Sequence, residues 1–317
     1  MYTKNALLID LSHYNAVVDF EKLKAAGVTD VILKAGGCET GKTYDDSKFA
    51  QRVQDAHDAG FLGKGAYYFG SAKYWLERQH TMSSVERLSD EQHGVLQHIF
   101  NVLRHKEIYY LAIDMEDASE GKQTTSSWHA FFVRDLVDRL RRQMAKGNLR
   151  TMKLGVYSRR SWIDSKAPDL STYLSTQPDL FIWCANWAGG KLTVKSIAEI
   201  AKERPVTGHQ PMPFGWSAAR VKQWDIWQWA GDSGYGYKCS DAITTVYGAP
   251  GHVDLNLYNG SAEEYETWIG LKPTVPVTPP VAEEPQPPSD ESGKLEELLE
   301  RVKRMEEEIK AIRSHFS

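Results

Sequence analysis

The sequence predicts an α/β protein built on a modified β/α barrel, followed by a proline-rich linker and a C-terminal coiled-coil helix. Short apolar runs alternate with amphipathic segments over residues 1–270, which is the pattern of strands separated by helices. So many strand–helix units predict a closed, TIM-like barrel. Prolines are concentrated in the next segment, and a strongly periodic one ends the chain. We therefore expect a barrel domain at 1–270, a linker at 271–292 and a coiled-coil helix at 293–317.

The elements of the barrel can be assigned in order from their periodicity. The predicted strands are 7–12, 30–36, 63–70, 109–116, 153–158, 180–187, 224–230 and 252–258. The predicted helices are 19–27, 48–60, two within 74–105, 126–147 and 261–270. From about residue 190 the strands are separated by fewer helices. We therefore expect the second half of the barrel to be irregular.

Composition and charge exclude several classes of protein. The chain has 41% hydrophobic and 25% charged residues, as soluble globular proteins do. Its net charge of −4 is modest, so we expect neither a nucleic acid nor a membrane as partner. Ten Trp and fifteen Tyr are many for 317 residues. Aromatic faces stack on sugar rings, so this content favours a sugar site, although an aromatic barrel core explains it equally well.

Cysteine spacing and the N-terminus bear on chemistry and location. Cys38, Cys184 and Cys239 are far apart and show no C-x-x-C spacing, so we expect buried or idle thiols, without a zinc site or a disulfide framework. The apolar run before Asp10 is too short for the core of a signal peptide. We expect synthesis in the cytoplasm without a signal peptide, so that a substrate in the cell wall is reached only after release.

Acidic residues occur at the C-terminal ends of three strand-like runs. They are Asp10, the pair Asp114 and Glu116, and Asp254. Active sites of β/α barrels lie at that end of the strands. Because side chains alternate along a strand, Asp114 and Glu116 point to the same face, where repulsion and burial would raise one pKa and leave the other carboxyl ionised. Glycoside hydrolysis requires such a pair of carboxyls.

The remaining motifs are weaker indicators of function. Asp19 and Glu21 form a second D-x-E, but they open a predicted helix, where acids stabilise the N-terminus. The G-K-T at 41–43 lacks the spacing of a phosphate-binding loop, and the histidines lack metal-ligand spacing. Residues near strand ends are candidate sugar contacts: Tyr67, Tyr157, Trp187, Gln228, Trp229 and Asn256.

Eight short motifs, in this order along the chain, resemble glycoside hydrolase family 25. They are IDLSHYN, VILKAG, GAYYF, AIDME, GVYS, IWCANW, IWQWA and VDLNLYNG, and they span about residues 7–260. These are the Chalaropsis-type muramidases found in many phage endolysins. The resemblance implies a modified β/α barrel that cleaves the β-1,4 bond between N-acetylmuramic acid and N-acetylglucosamine. It implies that Glu116 is the general acid, Asp114 its paired aspartate, and Asp10 and Asp254 the other acids of the cleft.

The chain departs from the family pattern at two places. Tyr68 occupies a position where the family usually has His, and the stretch between Phe69 and Asp114 is longer, with an apparent insertion at 80–94. Neither departure removes a catalytic acid. Both bear on which peptidoglycan chemistry fits the cleft, and a modified glycan is one option.

The resulting functional hypothesis is a retaining-type lysozyme without metal or cofactor, acting on peptidoglycan strands as a phage endolysin. Asp114 would either stabilise the charge at the anomeric carbon or orient the 2-acetamido group of the substrate, and the sequence leaves both routes open. The alternatives are a catalytically idle glycan-binding or phage structural protein, and another amino-sugar hydrolase of the chitinase type. The D-x-x-D-x-D-x-E run of that last class is absent, since the residues directly before Asp114 are Ala112 and Ile113.

The C-terminal segment has a heptad pattern. Apolar residues recur at alternating spacings of three and four at Leu295, Leu298, Val302, Met305, Ile309, Ile312 and Phe316. We therefore expect a homo-oligomer formed through 293–317. An amphipathic helix packed on the barrel is the alternative.

Overall fold

The structure is a computed structural model. It describes residues 4–39, 42–73, 88–104, 106–116, 125–187, 192–205, 211–231, 236–246, 248–272 and 300. Contacts divide the chain into two units, Met1–Pro273 and Thr274–Ser317. The predicted linker and coiled-coil helix fall almost wholly outside the described residues, so both stay predictions.

Eight strands form a closed barrel in the first unit. They are β1 (Leu7–Leu11), β2 (Asp30–Glu39), β3 (Gly65–Phe69), β4 (Tyr110–Asp114), β5 (Lys153–Arg159), β6 (Phe181–Ala185), β7 (Ile226–Ala230) and β8 (His252–Tyr258). Each strand pairs with the next along the chain, and β8 pairs with β1 to close the ring. The predicted barrel is therefore confirmed.

The eighth strand differs from the all-parallel arrangement of a TIM barrel. Strands β1 to β7 are parallel, whereas β8 runs antiparallel to both β7 and β1. A parallel connection requires a crossover, usually through a helix, and an antiparallel one does not. Between β7 and β8 the described residues form short strands at Tyr237–Cys239, Thr245–Val246 and Ala249–Pro250. The chain therefore reaches β8 through these short strands and needs no helical crossover.

Helices surround the barrel. In the described part of the chain they are α1 (Phe20–Ala25), α2 (Phe49–Asp58), α3 (Gly94–Leu103), α4 (Ser126–Ala145), α5 (Arg160–Lys166), α6 (Pro168–Ser175), α7 (Ile197–Ile200) and α8 (Ala262–Trp268). Asp19 is the N-cap of α1 and accepts a hydrogen bond from the backbone N–H of Lys22. This second D-x-E therefore starts a helix, as predicted.

Aromatic side chains fill the end of the barrel where the parallel strands begin. Tyr110 and Phe181 cross the interior with their ring centroids 5.6 Å apart, and α8 adds Trp268, whose ring lies 5.3 Å from that of Tyr110. Gly65 and Gly155 make room for these rings, because an added Cβ would lie 2.1 Å from Tyr110 and 2.4 Å from Phe181. Packing thus closes this end of the barrel.

Two further predictions concern the rest of the barrel unit. Cys38, Cys184 and Cys239 are all buried free thiols, as expected. None of the helices in the described ranges combines the length and apolar character needed to cross a membrane.

Candidate active site

A cleft of about 430 Å³ opens at the end of the barrel where the parallel strands finish. Eight of the ten residues singled out in the sequence line it: Asp10, Tyr67, Asp114, Glu116, Tyr157, Trp187, Gln228 and Asp254. The other lining residues are Ser12, Tyr14, Lys34, Glu39, Phe69, Arg159 and Trp183. Five carboxyls and several aromatic faces therefore share one cleft.

The acid pair lies where β4 ends. Asp114 is the last residue of that strand and is 3% exposed, and Glu116 follows two residues later and is half-buried. Burial, together with the negative charge of Glu116, raises the pKa of Asp114 well above its usual value, and the ammonium of Lys34 opposes this. The pair therefore keeps a proton at pH values where an isolated aspartate is ionised.

One oxygen of Asp114 is available to a ligand. Asp114 Oδ1 is buried and has no hydrogen-bond partner among the described residues. Buried carboxyl oxygens are normally satisfied, so an unsatisfied one in a cleft marks a candidate contact for a ligand.

Asp10 is held from inside the barrel by two side-chain amides. Its Oδ2 accepts hydrogen bonds from Gln228 Nε2 at 3.0 Å and from Asn256 Nδ2 at 2.8 Å. Both donors are buried: Asn256 is on β8, which pairs with β1, and Gln228 is on β7, which pairs with β8. Hydrogen bonds from neutral donors stabilise a carboxylate in its ionised form.

Neighbouring side chains fix the orientation of both amides. Gln228 Oε1 accepts from the Tyr157 hydroxyl at 2.9 Å and from the Trp187 indole at 3.0 Å. Asn256 Oδ1 accepts from the Trp183 indole at 2.8 Å. An indole N–H can only donate, so the amide oxygens must face these rings and the NH₂ groups must face Asp10.

Asp254 reaches the cleft by a different route from the one predicted. It is the third residue of β8, near the beginning of that strand and not at its C-terminal end. Because β8 is antiparallel to β1, its beginning lies at the end of β1, and Asp254 pairs in register with Asp10. Asp254 does line the cleft, although its predicted location at the C-terminal end of the strand is wrong.

Two candidate sugar contacts do not line the cleft. Trp229 is 4% exposed and packs outside the barrel, with its ring 6.0 Å from that of Tyr237. Alternation along β7 explains this, since Gln228 points inward and its neighbour must point outward. Asn256 points inward but is fully buried beneath Asp10, which it supports.

Two cations of the cleft were not identified from the sequence. Lys34 is largely buried, and its ammonium lies 5.0 Å from the centroid of the Phe69 ring and 5.5 Å from that of Tyr44. A lysine within the apolar run VILKAG could have indicated it, because a strand buried on both faces rarely contains a charge. Arg159 ends β5, two residues after Tyr157, and the same alternation could have placed it.

Tyr68, where the chain departs from the family pattern, lies behind the cleft. Its side chain is fully buried on the outer face of β3. The hydroxyl donates to the backbone oxygen of Gly37 at 3.0 Å and lies 2.8 Å from His98 Nδ1, whose ring bonds Asp45 through Nε2 at 2.8 Å. Tyr68 therefore links α3 to β2.

The cleft is lined by carboxyl groups, the amide of Gln228, the hydroxyl of Ser12, two cations and aromatic rings. Over the described ranges, no group of three or more His, Cys, Asp or Glu side chains is arranged to hold a metal ion.

Comparison with known proteins places these features in a family. The sequence matches glycosyl hydrolases family 25 over residues 9–235. The structure is similar to a family 25 glycosyl hydrolase from Bacillus anthracis, with TM-score 0.54, 16% identity, and coverage of 84% of this chain and 94% of that one. It is also similar to a muramidase from Trichobolus zukalii, with TM-score 0.51, 18% identity, and coverage of 84% and 100%.

A third similar structure is a bacterial lysozyme from Streptomyces coelicolor, with TM-score 0.50, 18% identity, and coverage of 83% of this chain and 95% of that one. Comparison with curated proteins gives no match. At these sequence identities the similar structures support the fold alone. The family match covers most of the barrel. The resemblance inferred from the eight motifs is confirmed: the chain belongs to glycosyl hydrolases family 25, and it is a glycoside hydrolase.

Proposed function

We propose that this glycoside hydrolase is a lysozyme-type muramidase that cleaves the β-1,4 bond between N-acetylmuramic acid and N-acetylglucosamine in peptidoglycan. The observation that carries the proposal is the Asp114–Glu116 pair at the end of β4, in a cleft that also holds Asp10 and Asp254. Two of the similar structures are themselves named a muramidase and a lysozyme. An endolysin role, in which the protein reaches the wall after release from the cytoplasm, is part of the same proposal.

In the proposed mechanism the pair supplies one acid and one charged carboxylate. Glu116, the less buried member, protonates the glycosidic oxygen. Asp114 then stabilises the positive charge at the anomeric carbon, or orients the 2-acetamido group of the substrate as an internal nucleophile. Burial raises the pKa of Asp114, so the pair holds a proton over a range of pH in which an isolated aspartate is ionised. The mechanism requires that this proton is on Glu116 when the glycosidic bond is cleaved.

Asp10 and Asp254 contribute charge and position. They lie side by side on β1 and β8 at the rim of the barrel interior. Negative charge fixed before the reaction favours a cationic, oxocarbenium-like transition state without further reorganisation. The aromatic residues Tyr67, Tyr157 and Trp187 offer ring faces or polar edges to the sugar.

The product identifies the bond that is cleaved. Purified cell walls are digested, loss of turbidity is followed, and the new reducing ends are reduced with borohydride. A muramidase yields muramicitol, whereas a glucosaminidase yields glucosaminitol. Lysis that releases free amino groups or lactyl-peptides would instead indicate a peptidase or amidase. Walls that remain intact would favour the idle glycan-binding alternative.

Variants test the role of the acid. Glu116→Gln should lower turnover by roughly 10²–10⁴, the usual effect of removing general acid catalysis. The matched control is Glu21→Gln, an exposed glutamate on α1 that should stay within about twofold of wild type, as surface substitutions usually do. A folded Glu116→Gln protein that lyses walls at the wild-type rate would rule out the assignment.

A further inference from the structure

Arg159 is a cation of the cleft whose guanidinium has no partner among the described residues. It is the last residue of β5, lies on the same face as Tyr157, and lines the cleft. Its Nε is buried and has no hydrogen-bond acceptor, and the described residues offer its guanidinium no ion pair. The next residue, Arg160, contrasts with it, because its Nε contacts both carboxylate oxygens of Asp164 and its Nη1 donates to the backbone oxygen of Pro213.

An unsatisfied guanidinium in a cleft points to an acceptor that arrives with the ligand. Buried N–H groups without an acceptor are rare because they lose their hydration without compensation. The planar fork of arginine matches the two oxygens of a carboxylate, which it can bind through two parallel hydrogen bonds.

The other cation in the described lining is already engaged. The Lys34 ammonium lies over the rings of Tyr44, Tyr67 and Phe69, at 5.0 to 5.9 Å from their centroids. Its charge also lowers the pKa of Asp114. Arg159 is thus the cation of this lining that is left to receive an anion from the substrate.

The backbone places Arg159 beside the proposed acid. Asp114 is in register with Tyr157, the backbone N–H of Met115 donates to the oxygen of Tyr157, and the Ser158 hydroxyl donates to the oxygen of Met115. Glu116 follows Met115 and Arg159 follows Ser158, so the two residues lie on neighbouring segments of the chain. An anion bound by Arg159 would therefore lie near the glycosidic bond that Glu116 protonates.

We propose that Arg159 binds a carboxylate of the glycan, so that the enzyme prefers acidic strands containing muramic acid to neutral amino-sugar chains. This inference rests on the proposed function and names the chemistry by which that site selects its substrate. N-acetylmuramic acid carries a lactyl group on the same ring whose anomeric carbon is attacked. The carboxylate is either that of a free lactyl group or one in the attached peptide.

Four substrates separate these sources. They are peptide-free strands, whose lactyl carboxylates are free, and peptide-bearing strands, whose carboxylates are in the peptide, each used both native and with its carboxyls converted to amides. For the wild type, amidation should raise KM roughly tenfold to a hundredfold on at least one kind of strand, the effect of losing a charged hydrogen-bonded pair. The kind of strand that responds identifies the source.

Variants test whether the preference for native over amidated strands depends on the Arg159 side chain. Arg159→Gln should have the same high KM on native and amidated strands, with kcat within about twofold of wild type. Arg159→Lys keeps the charge without the fork and should recover part of the preference. Arg160→Gln is the matched control and should retain the wild-type preference. Thermal melting checks that each variant is folded, and the wild-type comparison needs no variant.

The outcomes separate this inference from the proposed function. A wild type that releases no muramic reducing ends from any strand contradicts the proposed function. A wild type that cleaves native and amidated strands equally overturns the Arg159 inference alone. An Arg159→Gln protein that keeps the substrate preference but has a shifted pH–activity profile also overturns it, since the residue would then act through Glu116.

Discussion

Asn256 donates a hydrogen bond to Asp10 Oδ2 over 2.8 Å, from a fully buried position beneath the cleft. The donor is neutral and its orientation is fixed by the indole of Trp183, which donates to its amide oxygen. Asp10 thus receives stabilisation for its charge from below while its carboxylate stays at the cleft. Residues in the barrel interior therefore hold Asp10 in position at the cleft.

We predict that Asn256→Asp lowers turnover by roughly tenfold to a hundredfold, the scale of a hydrogen bond to a charged group. The substitution replaces a donor with a second carboxyl next to Asp10, and two adjacent carboxyls cannot both ionise readily. The acidic limb of the pH–activity profile should therefore move to higher pH. Asn148→Asp, at an exposed position beyond α4, is the control. An unchanged profile for Asn256→Asp would show that the contact does not matter.

Asp114→Asn should lower turnover by roughly 10²–10⁴ and yet raise the melting temperature at pH 7. Burial raises the pKa of Asp114, so the folded state holds its proton more tightly than the unfolded state. That preference stabilises the fold below the ordinary pKa of 3.8 and is lost as pH rises through the raised pKa. Asparagine resembles the protonated form at every pH and avoids the loss.

Melting curves from pH 3 to pH 8 test this expectation. The gain in melting temperature of Asp114→Asn should be absent at pH 3 and should grow toward neutral pH. Asp58→Asn, an exposed residue of α2, controls for the loss of a negative charge. A gain that is the same at all pH values would contradict the assignment to titration of Asp114.

A second pH dependence is expected at the closed end of the barrel. Burial raises the pKa of Asp30 to about 7, and its carboxyl accepts hydrogen bonds from the backbone of Val31 and the hydroxyl of Tyr265. Stability from this group is present below pH 3.8 and is lost as pH rises through about 7, by up to about 4 kcal/mol.

Denaturant unfolding of Asp30→Asn and of wild type at pH 4, 6 and 8 measures that loss. The variant should fall less in stability over this range, and its activity should stay within about twofold because Asp30 does not line the cleft. Parallel stability curves for the two proteins would show that other groups carry the pH dependence.

The sequence predicts the strand ends and the acids well, because an apolar run that stops at a carboxylate is a local pattern. The direction of a strand depends on the connection that precedes it. The strands between β7 and β8 are two or three residues long, too short to show an alternation of apolar and polar residues, so the antiparallel return of β8 could not be predicted. The sequence also does not show whether Gln228 or Trp229 faces the barrel interior. Both faces of IWQWA are buried, with Ile226 and Gln228 on one face and Trp227 and Trp229 on the other, so burial does not tell which face is turned to the barrel interior.

Arg159 illustrates what sequence alone leaves out. It is followed by a second arginine; alternation from Tyr157 places Arg159 on the inner face of the strand, but it does not show which of the two arginines lacks a partner. Only the packing shows that Arg160 has a carboxylate and a carbonyl to bind, whereas Arg159 turns toward the cleft. Functional polar residues are identified by their unmet contacts, which depend on the three-dimensional surroundings.

The last prediction concerns the heptad pattern at 293–317, and it rests on the sequence. We expect the full chain to be an oligomer at micromolar concentration by light scattering, because Leu295, Val302 and Ile309 recur at the a positions of an unbroken heptad. The double variant Val302→Asp/Ile309→Asp should be monomeric, since it places charges in the apolar seam.

A control with the same added charge outside the seam is Ala311→Asp/Ser314→Asp, at positions c and f of the same heptad. It should remain oligomeric. The monomeric variant should cleave small soluble glycan fragments at the wild-type rate but lyse whole walls more slowly, because linked barrels bind one surface at several points. A wild-type chain that is monomeric at micromolar concentration contradicts self-association. Equal wall lysis by the monomer and the oligomer contradicts the role of multivalency, because only the number of linked barrels differs between them.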